Sequence, residues 1–230
     1  PDEVGTGIDL SSSSNNNIIR NNILNSNDLG ISLSASSNNT IANNTANNSV
    51  IYGIRIISSS DRNTLTSNTA NGNGNYGLFL SSSKTNFLFN NTANANSLAG
   101  IALSASHNNS LANNTMQSNV QNGILLSSSA NNTITGGLIN NSRRDALLLS
   151  GVIAVSNNIT NITILGTNSS WYDLKFSTAS INGTYFVDMP HIGNYTFTGT
   201  GGIVYVKDSR YGEIRFLQAI NGSGNNFTAD

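Results

Sequence analysis

Apolar residues recur in a fixed rhythm along most of this chain. The pairs Ile8 and Leu10, Ile31 and Leu33, Ile54 and Ile56, Leu78 and Leu80, Ile101 and Leu103, and Ile124 and Leu126 each flank a single residue, and such alternation marks a strand with one buried face. A second inward position is expected at Ile18, Ile41, Leu65, Leu88, Leu111 and Ile134, and a third at Ile23, Ala46, Ala70, Ala93, Met116 and Ile139. Three short strands per turn, each facing inward at one or two points, make a triangular coil. A glycine opens each unit: Gly7, Gly30, Gly53, Gly77, Gly100 and Gly123 stand 23, 23, 24, 23 and 23 residues apart, and Ala146 continues the series. Self-similarity at this period signals a solenoid, whose units bury their apolar faces only against their neighbours.

The polar residues keep the same register. Asn16, Asn39, Asn63, Asn86, Asn109 and Asn132 occupy one corner, and Asn21, Asn44, Asn68, Asn91 and Asn114 another. Coils stacked about 4.8 Å apart would lay these amides over one another as hydrogen-bonded ladders, and Asn also tolerates the left-handed backbone of a tight corner. Serines recur as Ser-x-Ser after the first strand, at Ser11 and Ser13, Ser34 and Ser36, Ser81 and Ser83, Ser104 and Ser106, and Ser127 and Ser129. Hydroxyls so placed satisfy corner backbone groups. The largely alanine third strand implies a narrow cross-section without a wide internal cavity. The 24-residue unit from Gly53 carries its extra residue before Asn63, where a bulged corner is expected to absorb it.

The repeat Gly-[Ile/Leu]-x-[Ile/Leu]-Ser-x-Ser-x-x-Asn-x-[Ile/Leu]-x-x-Asn-Thr-Ala, covering about residues 7 to 145, resembles that of right-handed parallel β-helices. Within them it is similar to the NosD-like branch. The resemblance implies kinship with carbohydrate-binding and sugar-hydrolysing proteins and with surface proteins of methanogenic archaea. The expected fold is all-β: a right-handed parallel β-helix over residues 1–170, with regular coils from 7, 30, 53, 77, 100 and 123 and a degenerate coil from 146. Residues 171–230 read as a wider, less regular β-rich continuation, because segments such as GTYFVD and GIVYVKD alternate and are rich in Tyr, Phe and Val. Aromatic residues are expected to concentrate there, with Trp171 and Tyr172 as candidate glycan-contact aromatics.

Composition narrows the partners. The 10 basic and 11 acidic residues give a net charge of -1 without a basic run, so the electrostatic footprint of a nucleic-acid binder is missing. No cysteine is present for a disulfide or thiolate metal site. No stretch reaches membrane-span length, and the opening PDEVGTGIDL does not read as a secretory signal, which suggests a cleaved leader or part of a longer polypeptide.

Candidate chemistry is sparse. Asp9, Asp28, Asp61 and Asp145 fall at different positions of the repeat, so stacking does not assemble the carboxylate pair that glycoside hydrolysis needs. Asp173, Asp188, Asp208 and Glu213 lie beyond the regular coils. The resemblance to NosD-like proteins brings copper into question, for which His and Met are suitable ligands. His107 reads as a corner residue, Met116 as core, and Met189 with His191 as a turn, so no metal or cofactor is expected. Fifteen Asn-x-Ser/Thr sequons occur. Asn43, Asn90 and Asn113 share one position and are the leading glycosylation candidates, followed by Asn38, Asn108 and Asn131.

Two functional readings follow. The first is a non-enzymatic structural glycoprotein of an extracellular surface, in a sheath, filament or surface layer, self-associating or meeting other surface proteins through coil ends that look uncapped. The alternative is a carbohydrate-binding or carbohydrate-processing β-helix with glycan partners.

Overall fold

A computed structural model describes residues 5–151 and 156–165 and the strands at 174–177, 184–189, 195–198, 203–208, 213–219 and 225–229, with side chains as far as Lys175. The described residues form an all-β, right-handed parallel solenoid without helices. One nine-stranded sheet runs from Thr6–Leu10 through Leu29–Ser34, Tyr52–Ile57, Tyr76–Ser81, Ala99–Ser104 and Asn122–Ser127 to Tyr195–Thr198. A second sheet stacks the three-residue strands Ile18–Arg20, Thr40–Ala42, Thr64–Thr66, Phe87–Phe89, Ser110–Ala112 and Thr133–Thr135 and continues beyond them. The third comprises Thr115–Gln117, Leu138–Asn140 and Thr163–Leu165, prolonged toward the chain start by single bridges through Thr92, Thr69, Thr45 and Ile23. At the far end of the second sheet, Glu213–Ala219 and Asn225–Ala229 pair antiparallel.

The glycine series has a packing cause. A Cβ on Gly53 would stand 2.7 Å from Ala70 Cβ, and one on Gly77 2.7 Å from Ala93 Cβ. Glycine on the first sheet and alanine on the third thus meet where the triangle is narrowest. Leu33, Ile41, Ile56, Leu65, Leu80 and Leu88 fill the rest of the interior and are fully buried.

Asparagine ladders are present, with a corrected first rung. The first runs Asn17, Asn39, Asn63, Asn86, Asn109, Asn132 and Asn157. The second runs Asn22, Asn44, Asn68, Asn91 and Asn114. From the second rung on, each Oδ1 accepts the backbone N–H of the rung before it. Asn16 and Asn21 are instead left-handed corner residues, with φ of 60° and 58°. Ile18 and Ile23 face solvent at 71% and 77% exposure, while Ile19 is buried and Leu24 packs against the core.

The shift arises because the first coil turns its opening corner through two left-handed residues, Ser12 and Ser13, where the next coil uses Ala35 alone. It regains step by shortening its last corner. Glycine spacing alone conceals these compensating changes. The coil from Gly53 uses the same two-residue corner at Ser58 and Ser59, both with positive φ, and this accommodates its additional residue.

Two more ladders accompany these. Buried Ser36, Ser60, Ser83, Ser106 and Ser129 accept backbone N–H groups of neighbouring coils. At the last corner Ser49 N–H donates to Asn73 Oδ1, Asn73 to Asn96 and Asn96 to Asn119. The Ser49 hydroxyl is buried without a partner. Ser49→Asn should add an amide rung beneath Asn73 and stabilise the chain by about 1 kcal/mol. A higher urea midpoint with unchanged slope is the expected observation; an unchanged midpoint would show that serine already suits the corner.

Candidate functional site

The parallel register that stacks the core residues also aligns the outward residues of the first sheet. Asp9, Ser32, Arg55, Phe79, Ala102 and Leu125 form one outward row. Leu29, Tyr52, Tyr76, Ala99 and Asn122 form a second row at the strand starts. Aromatic residues fall side by side in two consecutive coils. The Tyr52 and Tyr76 rings lie 5.8 Å apart at 6°. Phe79 lies 5.0 Å from Tyr52 at 19° and 5.2 Å from Tyr76 at 25°. The three make a near-parallel, half-buried platform, within the separation at which aromatic rings attract beyond simple area burial. Burial, and then the neighbouring Tyr52, raise the Tyr76 pKa, so its hydroxyl remains a hydrogen-bond donor around neutral pH.

Arg55 borders the platform. Its Nη2 donates to Ser32 Oγ at 3.0 Å, and its Nε is buried without a partner. On the other side the rows shorten to Ala99 and Ala102, both buried. Farther along the same sheet, Asp145 pairs with Lys175 at 3.4 Å, and Asn122 Nδ2 donates to the Asp145 carbonyl at 2.7 Å. The outer face of the second sheet carries a smaller pair, Phe87 and Phe89, stacked at 5.8 Å and 9°.

The structure separates the other candidates. Asp9 is exposed on the first sheet, the Asp61 carboxylate accepts the Lys84 backbone N–H at 2.8 Å, and Asp145 holds Lys175. Asn43, Asn90 and Asn113, and likewise Asn38, Asn108 and Asn131, are exposed left-handed corner residues with φ between 53° and 59°. Trp171, Tyr172, Asp173 and His191 lie outside the described residues.

Aromatics are expected to concentrate in residues 171–230, yet Tyr52, Tyr76 and Phe79 belong to the regular coils. Their signal was available in the repeat alignment: each tyrosine directly precedes its unit's glycine, and Phe79 occupies an outward alternate position.

The family model described as periplasmic copper-binding protein (NosD) matches residues 5–199. The chain belongs to the NosD family. No curated protein matches it. Among solved structures it is similar to the A-module of Azotobacter vinelandii mannuronan C-5 epimerase AlgE4, with a TM-score of 0.71 and 18% identity over 82% of this chain and 59% of that one. A point mutant of the periplasmic alginate epimerase AlgG gives 0.68 and 17% over 81% and 48%. The A-module of A. vinelandii AlgE6 gives 0.63 and 18% over 84% and 59%. This NosD-family chain therefore spans about half to three fifths of the length of these structures.

These likenesses correct the expectation that the chain is not an enzyme. That expectation took the lack of a carboxylate row as decisive, yet solenoids of this fold include epimerases.

The copper in the family's description does not fit the described residues. Among them no three His, Cys, Asp or Glu side chains converge. His107 Nδ1 accepts the Ala130 N–H at 3.0 Å, and Met116 is buried in the core. A soft, imidazole- or sulfur-rich ligand set is not assembled there, and no chemical step is derived through copper.

Proposed function

We propose that this NosD-family chain binds an extended carbohydrate on the outer face of its first sheet, outside the cytoplasm, and belongs with carbohydrate-processing β-helices. The observation carrying this reading is the three-ring platform. A pyranose presents an apolar C–H face that aromatic rings complement, while rim hydroxyls and Tyr76 supply hydrogen bonds. The platform spans two coils along the solenoid axis, so a linear glycan can run across the strands and engage successive coils. The family's periplasmic description and the epimerase neighbours support both the compartment and the ligand class.

Titration calorimetry with a panel of polysaccharides tests the binding reading. Tyr76→Ala and Phe79→Ala should each weaken binding about tenfold, which corresponds to about 1.4 kcal/mol. A Tyr52/Tyr76/Phe79 triple alanine variant that binds like the parent overturns it. Processing is assayed separately by reducing-end release and by NMR detection of sugar epimerisation.

A role in a sheath, filament or surface layer has less support, because the solved structures that the chain resembles include alginate epimerases. Glycosylation is compatible with either role. Asn43, Asn90 and Asn113 sit between the second and third sheets, away from the platform, so glycans there would leave it open. Asn90 and Asn113 occupy adjacent coils, about 4.8 Å apart. Intact-mass analysis after expression with a glycosylation system should show single occupancy of that pair, and routine double occupancy contradicts the crowding argument.

A further inference from the structure

The cation beside the rings defines the ligand more narrowly, on the basis of the carbohydrate-binding reading. Arg55 extends from Tyr52–Ile57 in register with Ser32 on one neighbouring strand and Phe79 on the other. One hydrogen bond, from Nη2 to the fully buried Ser32, fixes its position. Its Nε–H is buried without an acceptor.

Among the described residues no carboxylate pairs with Arg55. Asp145 instead pairs with Lys175, at the far end of the same face. Asp9, the acid in Arg55's own row, stands two coils away, about 10 Å at the usual strand spacing. A guanidinium that loses hydration without gaining a counter-charge, and an N–H buried without an acceptor, are both unfavourable. Both deficits disappear if a bound oxyanion reaches the guanidinium, whose planar fork suits carboxylate and sulfate groups. Nε is covered in this structure, so an oxyanion bonds it only if the covering atoms shift.

We propose that Arg55 is the specificity-determining residue of the ring platform, receiving the anionic substituent of an acidic sugar whose ring rests on Tyr52, Tyr76 and Phe79. The ligand is thus a negatively charged polysaccharide. Its charge is a carboxylate or a sulfate ester, which share the same oxyanion chemistry at Arg55. The rings supply sugar affinity that is insensitive to charge, and the arginine supplies the preference.

The test titrates the whole chain with polygalacturonate, dextran sulfate and neutral dextran, comparing the parent with Arg55→Gln, Arg55→Met and an Arg143→Gln control. Arg143 is exposed and lies away from the platform. The parent should bind at least one acidic polymer about tenfold more tightly than dextran, and the preferred polymer distinguishes carboxylate from sulfate. Both Arg55 variants should erase that preference while leaving dextran affinity and melting temperature nearly unchanged. Arg143→Gln should retain it.

Equal affinity of the parent for acidic and neutral polymers overturns the inference, as does an acidic preference that survives in both Arg55 variants. Parallel loss of dextran binding also overturns it, because Arg55 would then merely support the rings. In these cases the carbohydrate-binding reading stands, whereas failure of every polymer to bind removes both.

Discussion

Asn68→Leu is expected to destabilise the chain by about 3–5 kcal/mol, among the largest effects of any single substitution outside the apolar core. Asn68 Oδ1 accepts the Asn44 backbone N–H at 3.0 Å and its Nδ2–H at 3.1 Å. Its own Nδ2 donates to the Ile41 carbonyl at 2.8 Å and to Asn91 Oδ1 at 3.0 Å. All three asparagines are essentially inaccessible to solvent. Leucine approximates the volume and removes every side-chain bond, leaving the Asn44 N–H and the Ile41 carbonyl buried with reduced satisfaction. Each orphaned group costs about 1–3 kcal/mol, and in a solenoid the loss falls on two coil interfaces.

Urea unfolding followed by circular dichroism measures the effect. Asn43→Gly, immediately before the ladder partner Asn44 at an exposed corner with φ of 54°, should change stability by no more than about 0.5 kcal/mol. Similar losses at Asn68 and Asn43 would show that the ladder contributes little.

Gly77→Ala is the second large effect, with an expected cost of about 3 kcal/mol from overpacking. The added Cβ would lie 2.7 Å from Ala93 Cβ, 2.8 Å from the Ala70 carbonyl oxygen and 2.8 Å from Asn96 Nδ2. Backbone, a short methyl and a ladder amide surround it, so a rotamer change cannot relieve the contact. Ala93→Gly removes one of the three obstacles. The double variant should therefore recover part of the loss, giving a coupling energy of about 1 kcal/mol in a double-mutant cycle. Strict additivity would refute the proposed contact between first-sheet glycine and third-sheet alanine.

Much of the coil could be read from residue order because solenoid neighbours are one repeat apart. Leu88 and Leu111, or Asn91 and Asn114, stack at the spacing that the glycines announce. The first coil exposes the limit of that logic. Its two-residue corner at Ser12 and Ser13 and its shortened last corner cancel in the glycine count, so Asn17 and Asn22, rather than Asn16 and Asn21, enter the ladders. The last-corner ladder of Asn73, Asn96 and Asn119 follows the same repeat, yet its serine rung at Ser49 weakens the sequence pattern.

The candidate site was less legible. Tyr52 and Tyr76 are separated by 24 residues, and Phe79 belongs to a different row. Each alone is an ordinary outward residue.

By itself the sequence determined the all-β solenoid, its glycine-paced coils, its narrow apolar interior and most asparagine ladders, because periodic burial and identical side chains leave a one-dimensional record. Only the tertiary structure decided the first coil's register, the three-ring surface and the lone cation beside it. Those features depend on corner conformation, on how rings from two different rows stack and on which buried atoms find partners, none of which periodicity encodes.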